Sequence, residues 1–310
     1  MRNQDIANHI GTYLEYCQHQ KQLSDKTVKA YRIDLNQYVA FAQDHGQPLD
    51  RATIQEYIAH LHTAYQPKSA KRKVACLKAF FAHLEYEEIL TDNPFKKIKT
   101  KFREPFLLPR TIPIEQIQLL LNAVYTAQEQ ARSPYQRMAL LRETSVLELL
   151  FATGVRVSEL CSLRPENVDL AEGLIKIYGK GAKERMIQIG NSDVLMAVQA
   201  YHQAFAGEIQ KTGWFFVNRL GHCLSEQSVR DIISKYADAC GIALHITPHM
   251  FRHSFATLLL EEDVDIRYIQ TMLGHSSIVT TQIYTHVAAK KQKDILTTKH
   301  PRNRLAVNPG

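Results

Sequence analysis

Six side chains of this 310-residue chain have types and spacings suited to chemistry on a phosphate: Arg156, Lys180, His249, Arg252, His275 and Tyr284. Each arginine presents a planar fork that can hold two oxygens of a phosphate at once, a geometry that lysine does not offer. A tyrosine supplies an attacking oxygen. Breaking a phosphodiester requires a nucleophile in line, neutralised non-bridging oxygens and a protonated leaving oxygen. The set holds a candidate for each task.

The residues around these six carry further information. Arg156 lies in Thr153-Gly154-Val155-Arg156-Val157-Ser158-Glu159-Leu160, and His249-Met250-Phe251-Arg252-His253 is followed by Ala256-Thr257-Leu258. Leu273-Gly274-His275, Thr280-Thr281 and Tyr284 complete the string. A bare His-x-x-Arg occurs by chance in many proteins; the whole string does not. It resembles the tyrosine recombinase (phage integrase) family, whose signature is Arg, Lys, His-x-x-Arg, His and Tyr in that order, and is most similar to the compact bacterial Xer-type members. Tyr284-Thr285-His286-Val287-Ala288 and His300-Pro301-Arg302 add to that similarity.

The resemblance implies roles that agree with what the chemistry calls for. Arg156 and Arg252 clamp the scissile phosphate, and His275 adds a further donor. Tyr284 attacks phosphorus to give a 3'-phosphotyrosyl link and a free 5'-hydroxyl. A phenol has a reference pKa of about 10, so it needs help to lose its proton. His249 is assigned as general base and Lys180 as general acid. Glu159 anchors the site or caps a helix.

A phosphotyrosine link stores the energy of the cut bond, so religation needs no cofactor. Consistent with that, the chain has no P-loop and no carboxylate cluster to hold magnesium. His245, His249 and His253 fall at i, i+4 and i+8, a spacing that could suggest zinc on a helix. Pro248 interrupts it, and no Glu takes a metalloprotease position. No metal is expected, and His253 reads as a structural histidine.

The elements that position these residues fall into two domains, for which 310 residues give room. The first, residues 1–95, reads as four amphipathic helices, carrying Ile6, Ile10, Leu14 and Cys17; Val28, Tyr31, Leu35 and Tyr38; Ile54, Tyr57, Ile58 and Leu61; and Val74, Leu77, Phe80, Phe81 and Leu84. Ser24, Thr53 and Ser69 read as N-caps of the second to fourth, with Glu56 completing a capping box. Residues 96–113 hold three prolines and a run of basic residues, and read as a linker. Residues 114–310 form the catalytic part, mostly helical. Its clear strands are 174–178 and 185–189, a hairpin with Lys180 on the Gly179-Lys180-Gly181 tip. A further strand is expected over 214–217, a turn at Gly221 and a helix capped by Ser225. The fold class is therefore mainly α with a small antiparallel sheet. The resemblance names the first domain as a SAM-like core-binding domain and implies that the two domains close on DNA as a C-shaped clamp.

Charge points to the same partner. Most of the net +7 falls in the first third of the chain, with Lys68, Lys71, Arg72, Lys73 and Lys78 in one acid-free run and Lys96, Lys97, Lys99, Lys101 and Arg103 in another. Lys26, Lys29 and Arg32 lie off the apolar stripe of the second helix. These are the expected DNA-binding cations, chiefly Lys26, Lys29, Arg32, Lys68, Lys71, Arg72, Lys73, Lys97, Lys99 and Lys101. Lys183 and Arg185 read equally as phosphate contacts or as solvated surface. The five cysteines form no C-x-x-C pair and read as reduced packing residues. No apolar run approaches a membrane span, and a cytoplasmic, nucleoid-associated protein is implied.

In the family a tail such as the one after Tyr284 docks on a neighbouring protomer, implying a tetramer on two double-stranded DNA sites. The resemblance also admits a second recombinase, a DNA translocase or a directionality factor as partners. Three departures from the family stand out: Phe251 replaces Leu in His-x-Leu-Arg, Asp263 replaces a Gly after that helix, and 123–142 is longer than in housekeeping Xer proteins. Two other functions share parts of this pattern. A type IB topoisomerase-like enzyme would not need the separate helical domain or the docking tail, and a catalytically silent accessory protein would not need the six residues intact.

Overall fold

The computed structural model describes residues 3–100, 102, 110–179 and 184–274, which fall in two units divided between Leu107 and Leu108. The first holds α1 (Asn3–His19), α2 (Asp25–His45), α3 (Arg51–Ala64) and α4 (Pro67–Tyr86). Their apolar stripes meet in one core in which Tyr13, Leu35, Tyr38, Ile54, Leu61, Phe80 and Phe81 are buried. Ser24 caps α2 as expected, its hydroxyl accepting the Thr27 N–H. The other two caps are corrected. α3 starts at Arg51, which leaves Thr53 buried inside the helix and dissolves the Thr53/Glu56 capping box. α4 starts at Pro67, so Ser69 is already helical; a proline has no N–H to lose at the first position and its fixed φ suits helix entry. Past α4 a 3₁₀ turn, Pro94–Lys97, buries Phe95, and Ile98 follows it into the same core.

The second unit contains α5 (Ile114–Glu129), α6 (Pro134–Thr153), α7 (Val157–Cys161), α8 (Ser192–Thr212), α9 (Glu226–Ala239), α10 (Pro248–Glu261) and α11 (Ile266–Leu273). The stretch 123–142 is the junction of α5 and α6, closed by a capping box of Ser133 and Gln136. α6 is buried along most of its second half, where Val146, Leu147, Leu149 and Leu150 sit in the core. Three antiparallel strands lie in the order β1 (Val168–Asp169), β2 (Leu174–Tyr178) and β3 (Glu184–Gln188). Ile175 pairs with Ile187, and the buried residues Ile175, Ile177 and Ile187 give the sheet its core face.

Residues 214–217 do not form the expected strand. Phe215, Phe216 and Val217 are buried, but only Val217 bridges to Cys223. The Tyr201 hydroxyl takes the place of a neighbouring strand: it donates to the Phe215 carbonyl at 2.9 Å and accepts the Val217 N–H at 3.0 Å. Gly221 turns with φ of 72°, and Ser225 caps α9. Asp263 adopts φ of 66°, so the left-handed position normally held by glycine is kept here at a conformational cost. Cys17, Cys76 and Cys161 are buried and form no disulfide among the described residues, and burial pushes Cys76 up to about 12.

Candidate active site

The site begins where α6 ends. Gly154 closes that helix with φ of 58°, and a Cβ there would lie 2.7 Å from Phe255 Cδ1 and 2.9 Å from Leu273 Cδ2. Only glycine meets both the dihedral and the space. The chain then turns outward so that Arg156 sits at the N-cap of α7, with its guanidinium partly exposed.

Glu159, one turn into α7, is buried and binds Arg156 twice. Its Oε2 accepts the Arg156 backbone N–H at 2.8 Å and its Oε1 accepts Arg156 Nη1 at 2.7 Å. Arg185 on β3 binds the same carboxylate, with Nη1 to Oε1 at 3.0 Å and Nη2 to Oε2 at 2.6 Å. Burial pushes the Glu159 carboxyl up, and the bonds from Arg185 and Arg156 outweigh it, holding the group ionised below its ordinary value. Glu159 thus both anchors Arg156 and ties off the start of its helix.

Arg252 is buried on α10. Its Nη1 donates to the Gly154 carbonyl at 2.7 Å and its Nη2 to the Leu273 carbonyl, so the C-terminal ends of α6 and α11 both hold it. His249 precedes it by one turn, on the exposed side of the helix start. Partial burial, then the charges of Arg252, Arg156 and Arg230, push the His249 imidazole below its ordinary value. It is therefore neutral at neutral pH and able to accept a proton. His253, half-buried, is lowered by burial and by His249 and Arg252. His245 precedes Pro248 and lies off the helix, so the three histidines do not share a helical face.

Arg252 thus binds the carbonyl two residues before Arg156, and the charges of both arginines reach His249. Lys180, His275 and Tyr284 lie outside the described residues, as do Lys101 and Lys183.

Family comparisons match both units. The phage integrase family profile covers residues 110–291, and the N-terminal SAM-like domain of phage integrases covers residues 10–88. The chain belongs to the tyrosine recombinase family. A tyrosine recombinase of Agathobacter rectalis is 53% identical over 299 residues, spanning 96% of this chain and 98% of its relative. Tyrosine recombinase XerD of Staphylococcus saprophyticus is 35% identical, spanning 94% and 98%. Among solved structures, XerA recombinase matches with 25% identity and a TM-score of 0.52 over 95% of this chain and 99% of its own. XerH bound to its difH substrate shares the fold at 18% identity, with a TM-score of 0.70 over 92% of this chain and 83% of XerH. This recombinase is therefore a DNA strand transferase acting in site-specific recombination.

Among the recombinase's expected DNA-facing cations, Lys26, Lys29, Arg32, Lys68, Lys71, Arg72, Lys97 and Lys99 are exposed on the first unit. Lys73 is not. Its ammonium is buried between α2 and α4, donating to Asp34 Oδ1 at 2.9 Å and to Gln37, because a buried carboxylate at position 34 requires a cation beside it. Arg72 binds the same Asp34. Arg185 is neither a phosphate contact at the surface nor solvated, but buried against Glu159. The signal for it was its parity, since positions 185, 187 and 189 share the inward face of β3 and its continuation. Sequence reading also missed Ser254, whose hydroxyl accepts the Ile112 N–H at 2.7 Å and pins the start of the second unit to α10.

Proposed function

We propose that this recombinase cuts DNA through Tyr284, whose oxygen bonds to the scissile phosphorus as the bond to the 5'-oxygen breaks. The convergence of Arg156, His249 and Arg252 carries the reading, because it sets two guanidiniums beside a neutral imidazole. Arg156 and Arg252 neutralise the non-bridging oxygens, and His275 adds a donor. His249 takes the phenolic proton, for which its lowered pKa suits it. Lys180 delivers a proton to the leaving 5'-oxygen. Attack by that 5'-hydroxyl, or by one from a second duplex, reverses the step and frees Tyr284. The bond count is conserved, so the cycle consumes no nucleotide triphosphate.

The exposed cations of residues 1–95, together with Lys97, Lys99 and Lys101 in the linker 96–113, supply sequence-independent phosphate contacts, and the catalytic domain 114–310 acts on the strand they hold. Four copies joined through the tail after Tyr284 exchange strands in pairs through a Holliday junction, in the cytoplasm and on the nucleoid. Truncation after about residue 290 should abolish cooperative assembly. The reading extends to chromosome or plasmid resolution or to movement of a mobile element, with a translocase, a directionality factor or a second recombinase as helper.

The test is incubation of wild type and Tyr284→Phe with nicked suicide duplexes taken from DNA flanking the gene, resolved on a denaturing gel in chelator. A covalent adduct with wild type only supports the mechanism. Adduct formation by both proteins would remove Tyr284 as the nucleophile, and its absence with both on bound DNA would refute the reading for that site.

A further inference from the structure

Arg185 reaches both phosphate-clamping arginines without being one of them. Its guanidinium fork closes on Glu159, the carboxylate that holds Arg156. Its Nε donates to the Met272 carbonyl at 2.8 Å, one residue before the carbonyl that holds Arg252. The side chain also lies flat on Gly274, where a Cβ would come within 3.0 Å of Arg185 Cδ. Gly274 takes φ of 64° at the end of α11. One side chain therefore touches β3, α7 and the turn that leads toward His275.

Charge balance gives this contact a consequence. Glu159 carries one negative charge and lies between two guanidiniums, so the trio has one positive charge to offer a phosphate. Without Arg185, Glu159 would cancel Arg156, and the clamp would keep only Arg252. We propose that Arg185 is a positioning residue for strand cleavage: it neutralises Glu159 so that Arg156 keeps its charge for the phosphate, and it holds the Met272–Gly274 turn that orients Arg252. This rests on the reading of Arg156 and Arg252 as the phosphate clamp.

The experiment is a double-mutant cycle in the full-length protein with Arg185→Met, Glu159→Gln and the pair, read by suicide-duplex cleavage under single turnover and by melting temperature. Arg185→Met should bind the duplex as wild type does and cleave about 10²-fold more slowly, the loss expected when one charge-stabilising group leaves a reacting site. Adding Glu159→Gln to it should restore cleavage roughly tenfold, because the uncompensated anion is gone. Arg185→Lys, which keeps the charge and loses the fork, should cleave at a rate between wild type and Arg185→Met. The melting shift of the pair should be smaller than the two single shifts combined. Cleavage by Arg185→Met at the wild-type rate overturns the proposal, and so does a pair that cleaves no faster than Arg185→Met, which would leave Arg185 a packing role alone. Failure of wild type to form any adduct would count against the proposed function instead, while additive melting shifts would overturn the network whether or not any variant cleaves.

Discussion

Each unit of this recombinase contains one buried carboxylate held by two cations, and the two arrangements serve different ends. In the first, Asp34 binds Lys73, whose side chain is 5% exposed, and Arg72, at 47%. In the second, Glu159 binds Arg185, at 8%, and Arg156, at 35%. Both therefore have an inner cation that compensates the carboxylate and an outer one that reaches solvent. The difference lies in the backbone. Asp34, Lys73, Arg72 and Gln37 meet through side chains and staple α2 to α4. Glu159 also takes a backbone N–H at Arg156, and Arg185 also takes a backbone carbonyl at Met272, so the second arrangement fixes the course of the chain around a reacting centre. A buried ion pair adds little net stability by itself, but one tied to the main chain sets where a guanidinium points.

Breaking the clamp should have the largest effect. Arg252→Ala removes a fork held by the Gly154 and Leu273 carbonyls, and cleavage should fall by at least about 10²–10³-fold while binding of the duplex persists. A suicide-duplex time course beside a mobility shift measures both. Cleavage close to wild type would show that the backbone-anchored guanidinium does not face the phosphate.

Next comes the staple. Asp34→Ala leaves the Lys73 ammonium buried without its anion, which should cost about 3–5 kcal/mol in urea unfolding of the first unit. Asp34→Leu with Lys73→Met should recover most of that loss and leave cleavage intact. If the apolar pair instead abolished cleavage, the contrast between the two carboxylates would fail.

The contrast also shows what could be read from the residue string. The strand at 174–178, the next one to within a residue (185–189 read, 184–188 found), the caps at Ser24 and Ser225 and the turn at Gly221 were legible because each rests on neighbours in sequence. So was the strained position of Asp263, by comparison with the family's glycine. Lys73 was misread because its run is free of acids while its partner Asp34 lies on another helix. Residues 214–217 were misread because scattered partners, the Tyr201 hydroxyl and the backbones of Leu163 and Leu224, satisfy their backbone in place of a strand ladder. In β3 the usual preference is inverted: Met186 faces solvent while Arg185 points in, so polarity suggested the wrong face and only alternation suggested the right one. The carbonyls that hold Arg252 were not legible, since backbone acceptors leave no mark in a sequence.

A smaller effect tests the backbone that carries both arginines. Gly154→Ala places a methyl against Phe255 and Leu273 in a left-handed conformation, so it should lower stability by at least about 1–2 kcal/mol in the second unit and slow cleavage by displacing the carbonyl bound to Arg252. Asp263→Gly, at another positive-φ position in the second unit, should relieve the backbone strain there and leave cleavage unchanged. Unchanged cleavage at both sites would mean that Gly154 matters only for the fold.

The smallest effect concerns the proton. His249 lies below its ordinary value through burial first and the charges of Arg252, Arg156 and Arg230 next, with Glu226 acting in the opposite sense. As a base it must be neutral, so cleavage should be lost as pH falls through the lowered value, and the acid limb should lie below that of an ordinary histidine. Arg230 pairs with Glu226 at 3.0 Å on the exposed side of α9. Arg230→Gln removes one of the lowering charges, which raises the imidazole. The acid limb of single-turnover cleavage at subsaturating DNA should therefore move to higher pH, with the plateau rate unchanged. A limb that stayed in place would mean that another group takes the tyrosine proton, and a limb that moved down would reverse the sign of the field at His249.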